Sequence, residues 1–144
     1  MSLKDGTKKM SKSELSDLSR INLTDIKEDI VNKIKKAKTD ALPMPNTNEE
    51  LDNRPEAKNL IGIYSSLSNV SLDETITKFS GKNFSEFKED LSQVLVDKII
   101  PISNEIKKLK KDNIFLDKIL KDGCDKANEI ASKKMRKIHE IVGF

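Results

Sequence analysis

The apolar residues of this chain recur at α-helical spacing, and this periodicity constrains the fold more than any other feature. Residues three or four apart share one face of a helix, whereas a half-buried strand alternates at every second residue. The longest helical series follows Ser85 and consists of Phe87, Leu91, Val94, Leu95, Ile99, Ile102, Ile106 and Leu109. The sequence has no sustained alternating run and no hairpin signal. It therefore predicts an all-α fold, a bundle of helices.

Start and stop signals divide the chain into six predicted helical segments. Thr24 is a suitable N-cap for the first, Pro55 suits the first turn of the second, and Ser71 with Glu74 forms a capping box for the third. Ser85 opens the long fourth helix, which Pro101 is expected to kink. The last two are predicted over 114–120 and 122–141, with Gly123 at the junction between them. The inner side of the last helix is predicted to carry Ala127, Ile130, Ala131, Ile138 and Val142.

Two stretches lack a helical period. Residues 1–23 are predicted to form an irregular connector that precedes a helical domain over 24–144. Residues 39–56 hold three prolines and three asparagines and are predicted to form an ordered loop within that domain.

Composition excludes several function classes. Apolar residues make up only 35% of the chain and Trp is absent, so the core must be thin. A single cysteine, Cys124, excludes an internal disulfide and favours a reducing compartment; it is expected to be a small buried residue. A single histidine, His139, argues against zinc and Ser-His-Asp sites and is expected to be a surface or packing residue. No glycine belongs to a phosphate-binding motif, no apolar run approaches the roughly 20 residues of a membrane span, and no signal-peptide pattern opens the chain.

Charge is distributed unevenly along the chain. The formal net charge of +3 combines +3 over residues 1–13, −4 over residues 14–100 and +4 over residues 101–144. Basic ends suit polyanions such as nucleotide phosphates or an RNA backbone. The alternative is that these lysine-rich stretches are simply solvated.

One short motif carries recognisable chemistry. Residues 9–13 spell KMSKS, which combines the compact ammonium groups of Lys9 and Lys12 with the hydroxyls of Ser11 and Ser13 and an adaptable apolar anchor in Met10. Ammonium and hydroxyl groups at this spacing are donors that suit phosphate oxygens.

This pentapeptide resembles the signature loop of class I aminoacyl-tRNA synthetases. The segments that follow are similar to tryptophanyl-tRNA synthetases of the bacterial and organellar type, in order and in spacing, and the resemblance extends from Met1 to Phe144. The segments that carry it are SRINLTD, DIVNKIKKAKTD, RPEAKNLIGIYSSLS, KFSGKNFSEFKEDLSQVLVDKIIPI and LKDGCDKANEIASKKMRKIHEIVGF.

The resemblance implies a C-terminal fragment that begins just before the KMSKS loop. The family's Rossmann half, which holds the HIGH-type motif and the tryptophan pocket, has no counterpart in this sequence. The intact enzyme would use ATP with Mg²⁺ to activate tryptophan, transfer it to the tryptophan isoacceptor of tRNA, and work as a homodimer. The fragment alone is expected to be inactive, away from membranes, and located in the cytoplasm or an organelle matrix. The alternative is a stand-alone, non-catalytic helical module that binds tRNA or another RNA.

The resemblance also implies roles for individual residues. Lys12 would neutralise the β- and γ-phosphates in the transition state, and Lys9 would support loop closure and nucleotide contact. Ser11 and Ser13 would hydrogen-bond to phosphate or backbone, and Met10 would pack against the helical domain. Candidates for contact with tRNA phosphates, or alternatively for a solvated helix face, are Lys107, Lys108, Lys110, Lys111, Lys133, Lys134, Arg136 and Lys137.

Overall fold

A computed structural model describes residues 1–143 of the chain. Within this range the regular elements are helices, with no strand, which confirms the all-α prediction. A short 3-10 turn at Asp17–Ser19 precedes α1 (Lys27–Lys36), α2 (Asn48–Asp52), α3 (Pro55–Ser68), α4 (Leu72–Phe79), α5 (Phe84–Leu109) and α6 (Asn113–Val142).

The local signals that fix the helix starts are partly those predicted. Pro55 lies in the first turn of α3, and Ser71 and Glu74 exchange both hydrogen bonds of a capping box ahead of α4. The first helix begins at Lys27 rather than at Thr24. The carboxylate of Asp25 accepts a hydrogen bond from the backbone N–H of Asn22, so the chain at 22–25 forms a turn instead of the first turn of a helix.

Two further predictions are wrong. The loop predicted over 39–56 contains the short helix α2, because the Thr47 hydroxyl accepts from the backbone N–H of Glu50 and caps a helical turn. The two segments predicted at the end of the chain form one continuous helix, α6, which passes through Gly123. Pro101 lies inside α5, and the kink there stays a prediction.

The described residues divide into two compact units, Met1–Asn104 and a second unit that starts at Glu105. The first unit contains a hydrophobic core built from α1, α3, α4 and α5, and three rings form its centre. Tyr64, Phe79 and Phe87 meet edge to face or tilted, with centroids 4.9–5.9 Å apart. The boundary predicted between residues 23 and 24 stays a prediction.

The second unit contains the end of α5 and all of α6. No described residue of α6 is buried. The apolar residues predicted for its inner side are therefore exposed, for example Ile130 at 74% and Ile138 at 40%. Among residues 1–143, no helix is long and apolar enough to cross a membrane.

Candidate functional site

The segment with the KMSKS pentapeptide is anchored at its base by the first residues of the chain. Leu3 is buried; its N–H donates to the carbonyl of Ser19 (2.9 Å), and its carbonyl accepts from the N–H of Lys38, just after α1 (2.8 Å). The N–H of Ser2 donates to the carbonyl of Lys8 (2.8 Å). Residues 4–18 therefore form an excursion whose two ends are fixed to one stretch of backbone.

Gly6 brings this excursion against the start of α3. A Cβ atom at Gly6 would lie 2.4 Å from the carbonyl oxygen of Pro55 and 2.7 Å from the backbone nitrogen of Glu56. Because backbone atoms cannot yield as a flexible side chain can, glycine is required for this approach. Glu56 in turn pairs with Lys38 at 2.8 Å, and the hydrogen bond from Lys38 lowers the pKa of Glu56.

Within the pentapeptide the two serines make a local turn. The hydroxyl oxygens of Ser11 and Ser13 lie 2.9 Å apart, the N–H of Ser13 approaches the Ser11 hydroxyl (3.3 Å), and the N–H of Glu14 donates to the Ser11 carbonyl (3.4 Å). The pentapeptide has no regular secondary structure. Its conformation is therefore a turn that leaves both hydroxyls at the surface.

The two lysines of the pentapeptide are available to an external ligand. Lys9 and Lys12 are exposed, and neither forms an ion pair or a side-chain hydrogen bond within residues 1–143. Two ammonium groups beside two surface hydroxyls form a donor set that matches phosphate oxygens.

Two cavities adjoin the loop within the first unit. A polar one of about 270 Å³ is lined by Lys9, Ser11 and Ser19, together with Ser2, Lys4, Asp5, Lys8 and Glu14. The Ser19 hydroxyl is buried there without a hydrogen-bond partner. An open one of about 700 Å³ has Met10 in its wall, together with Ile21, Ile63 and Leu95. The loop thus has a polar side and an apolar side.

Arg20 contacts the loop and was not singled out by the sequence reasoning. Its guanidinium donates to the carbonyls of Ser11 (3.4 Å) and Glu14 (3.0 Å), on either side of Lys12. The sequence feature that could have indicated Arg20 is its rarity, since it is one of only three arginines in a lysine-rich chain. Nη1 serves both carbonyls, which leaves Nη2 and Nε for Asp17 and Asn22, a division that a single ammonium nitrogen cannot reproduce.

Comparison with protein families bears on the identity of the chain. A family model described as class I tRNA synthetases (W and Y) matches residues 1–99.

The chain belongs to this synthetase family.

Three individual relatives are tryptophan–tRNA ligases or synthetases. The tryptophan–tRNA ligase of Brucella melitensis is 46% identical over 144 residues, which are 100% of this chain and 41% of the relative. The corresponding ligase of Agrobacterium fabrum is 49% identical with the same coverage. The crystal structure of tryptophanyl-tRNA synthetase from Mycoplasma pneumoniae matches with a TM-score of 0.74 at 25% identity, over 100% of this chain and 45% of that one. The chain thus spans about two fifths of the length of the curated relatives and matches their C-terminal part.

The basic residues predicted to meet tRNA lie in the second unit of this synthetase-family chain, and all are exposed. Lys107, Lys108, Lys110 and Lys111 flank the end of α5, whereas Lys133, Lys134, Arg136 and Lys137 lie in the last third of α6. Lys133 pairs with Glu129 at 2.7 Å and Lys108 with Glu105 at 3.6 Å. Most of these cations are therefore unpaired within residues 1–143.

Two other residues that the sequence reasoning discussed lie on α6. Cys124 was expected to be buried but is exposed, because it lies on α6, where no described residue is buried; its sulfur accepts from the side-chain amide of Asn128 (3.2 Å). His139 is exposed near the end of α6. No cluster of three or more metal-binding side chains occurs among residues 1–143.

Proposed function

We propose that this chain forms the part of a tryptophan–tRNA ligase that acts on the triphosphate of ATP and on tRNA. The observation that carries the proposal is the exposed KMSKS turn, with Lys9 and Lys12 unpaired, in a chain similar over its full length to tryptophan–tRNA ligases. The activity, substrates and partners belong to an enzyme of which this chain spans about two fifths.

ATP suits the donors that the loop presents. Lys12 would contact the β- and γ-phosphates as pyrophosphate departs, and Lys9 would hold the nucleotide as the loop closes. Ser11 and Ser13 would donate their hydroxyls to phosphate oxygens. Mg²⁺ would accompany the triphosphate, the usual partner of this ion.

Met10 would act on the apolar side of the loop. Met10 lines the open cavity of about 700 Å³ together with residues of α3 and α5. A flexible thioether can keep contact with such an apolar wall while the neighbouring lysines change position. The proposed role of Met10 is to keep the loop in contact with the helices as it closes.

The second unit would contact tRNA. Its net charge of +4 over residues 101–144, with the eight basic candidates all exposed, favours phosphate contacts that position an RNA without reading its sequence. We place the working enzyme, a homodimer, in the cytoplasm or an organelle matrix. The exposed thiol of Cys124 fits a reducing compartment.

The test is a chimera in which residues 1–144 replace the matching C-terminal part of the Brucella melitensis ligase. Tryptophan-dependent exchange of pyrophosphate into ATP should be measurable with the chimera and absent with the 144-residue chain alone. Lys12→Ala in the chimera should lower exchange by several powers of ten, since its ammonium acts mainly in the transition state.

The matched control is Lys36→Ala, which removes another exposed, unpaired lysine of the first unit from the end of α1. It should leave exchange at the level of the parent chimera. A loss below about tenfold for Lys12→Ala, which corresponds to roughly 1.4 kcal/mol, would contradict the proposed role.

The alternative is a stand-alone RNA-binding module, and the exposed basic residues of the second unit are the observation that favours it. Gel shifts of the 144-residue chain with tryptophan tRNA across a salt series address it. Tight binding by the chain, together with an inactive chimera, would favour the module over the ligase.

A further inference from the structure

The turn that contains Lys12 is held from outside by one side chain. Arg20 donates to the carbonyl of Ser11 and to the carbonyl of Glu14, the residues that bracket Lys12 and Ser13. The backbone of Lys12 is thus fixed on both sides, while its ammonium group stays free.

Arg20 is itself held on its other nitrogens. Its Nη2 pairs with the carboxylate of Asp17 at 2.9 Å, and its Nε donates to the side-chain oxygen of Asn22 at 3.2 Å. The Arg20 side chain is only 18% exposed. All three guanidinium nitrogens therefore have partners, and Nη1 is the one that binds the loop carbonyls.

The chain of contacts ends at a buried cation on α1. Lys33, whose side chain is 4% exposed, pairs with Asp17 at 2.6 Å and with Asp25 at 2.7 Å. Burial opposes the charged form of Lys33, but its hydrogen bonds to Asp17 and Asp25 outweigh this and raise its pKa. Since a buried charge must keep its partners, Asp17 has one favourable place, and that place is beside Arg20.

We propose that Arg20 is a positioning residue for Lys12: it fixes the backbone of residues 11–14 to the Asp17–Lys33–Asp25 cluster of the first unit. This inference rests on the proposed function of the KMSKS loop. Positioning matters because a displacement of about 1 Å at a reacting group can cost about 100-fold in rate.

Two measurements on Arg20→Met and Arg20→Lys test the proposal. In the chimera, Arg20→Met should lower kcat for pyrophosphate exchange by about 10- to 100-fold, with a change below about threefold in the KM for tryptophan. Arg20→Lys keeps the charge beside Asp17 but cannot reach both carbonyls and Asn22, so it should recover only part of kcat. In the 144-residue chain, amide exchange at residues 11–14 should accelerate at least tenfold in Arg20→Met.

Arg54→Met is the matched control. Arg54 is another largely buried arginine of the first unit that binds one carboxylate and one carbonyl, those of Asp40 and Leu42. The Arg54→Met variant should leave amide exchange at residues 11–14 unchanged. If Arg20→Met fails to fold, Asp17→Asn removes the anchor of Arg20 at a carboxylate whose side chain is 55% exposed, and the same acceleration is expected.

The outcomes separate the two proposals. Unchanged amide exchange at 11–14 in Arg20→Met, or a kcat within twofold of the parent chimera while Lys12→Ala is inactive, would overturn the positioning role and leave the ligase function intact. An active Lys12→Ala chimera would overturn the ligase role of the loop, and with it the catalytic part of this inference. Acceleration at 11–14 together with a loss confined to kcat supports both.

Discussion

Single ion pairs in this chain fix the positions of otherwise irregular segments. Asp40, just beyond α1, receives two hydrogen bonds from Arg54, from Nε to Oδ2 at 2.8 Å and from Nη2 to Oδ1 at 2.6 Å. Arg54 also lies over the ring of Phe84 at 5.6 Å. The irregular backbone from 40 to 47 is thereby tied to the start of α3, as Arg20 ties the KMSKS turn to α1.

The Asp40–Arg54 pair predicts a dependence of stability on pH. The hydrogen bond from Arg54 holds the pKa of Asp40 below its ordinary value of 3.8. The carboxylate is thus more acidic in the folded than in the unfolded state. Its contribution to the free energy of unfolding is complete above pH 3.8 and is lost as pH falls through the lower, folded pKa.

Asp40→Asn should therefore make the free energy of unfolding fall less steeply below about pH 4. At pH 7 it should lower the free energy of unfolding by up to ~1 kcal/mol. Urea unfolding at a series of pH values from about 7 to about 2.5 measures both effects. Asp125→Asn is the control, since the exposed Asp125 carboxylate on α6 has no hydrogen bond or ion pair within residues 1–143. An equally steep acid dependence in Asp40→Asn and the parent would contradict the prediction.

Local signals in the sequence predicted those elements that depend on neighbours in the chain. The capping box at Ser71 and the proline start at Pro55 need only residues three or four apart, and both were predicted correctly. The start of α1 was displaced because Asp25 closes a turn with Asn22, and its carboxylate also pairs with Lys33, eight residues away. The contacts of Arg20 with the KMSKS turn could not be predicted either, since they depend on where the backbone turns rather than on any spacing.

Helix α6 contains one glycine, Gly123, and ends at another, Gly143. Gly123 and its aspartate neighbour suggested a junction, yet the helix continues through it, because glycine weakens a helix without breaking it. A Cβ at Gly123 meets nothing within 4 Å. Gly143, at the end of the same helix, has φ +82° and occupies the left-handed region.

These two glycines predict opposite effects of the same substitution. Gly123→Ala should stabilise α6 by ~0.5–1 kcal/mol, because alanine loses less backbone entropy in a helix. Gly143→Ala should weaken the end of α6 by ~1 kcal/mol, because a side chain is strained in the left-handed conformation. Circular dichroism at 222 nm during thermal unfolding compares both variants with the parent. Destabilisation by Gly123→Ala would contradict a helix that continues through Gly123, and stabilisation by Gly143→Ala would contradict the left-handed conformation of Gly143.

For the whole molecule, the two units differ in what stabilises them. The first unit buries the apolar residues of its helices around the three central rings, whereas no described residue of α6 is buried. Helices in proteins are stabilised mostly by tertiary packing rather than by intrinsic propensity. The unit proposed to contact tRNA is therefore expected to be the less stable one, and the unit with the KMSKS loop the more rigid.

Hydrogen exchange of the isolated chain should display this difference. Amides of α6 should exchange at least 100-fold faster than those of α3 and of α5 before residue 104, because opening a solvated helix exposes little apolar surface. Mass spectrometry of peptides from each helix measures these exchange rates, and peptides that contain Ile61 or Leu91 report on the core. If tryptophan tRNA binds α6, its addition should slow exchange there while α3 keeps its rate. Equal protection of α3 and α6 in the free chain would contradict this assignment of stability.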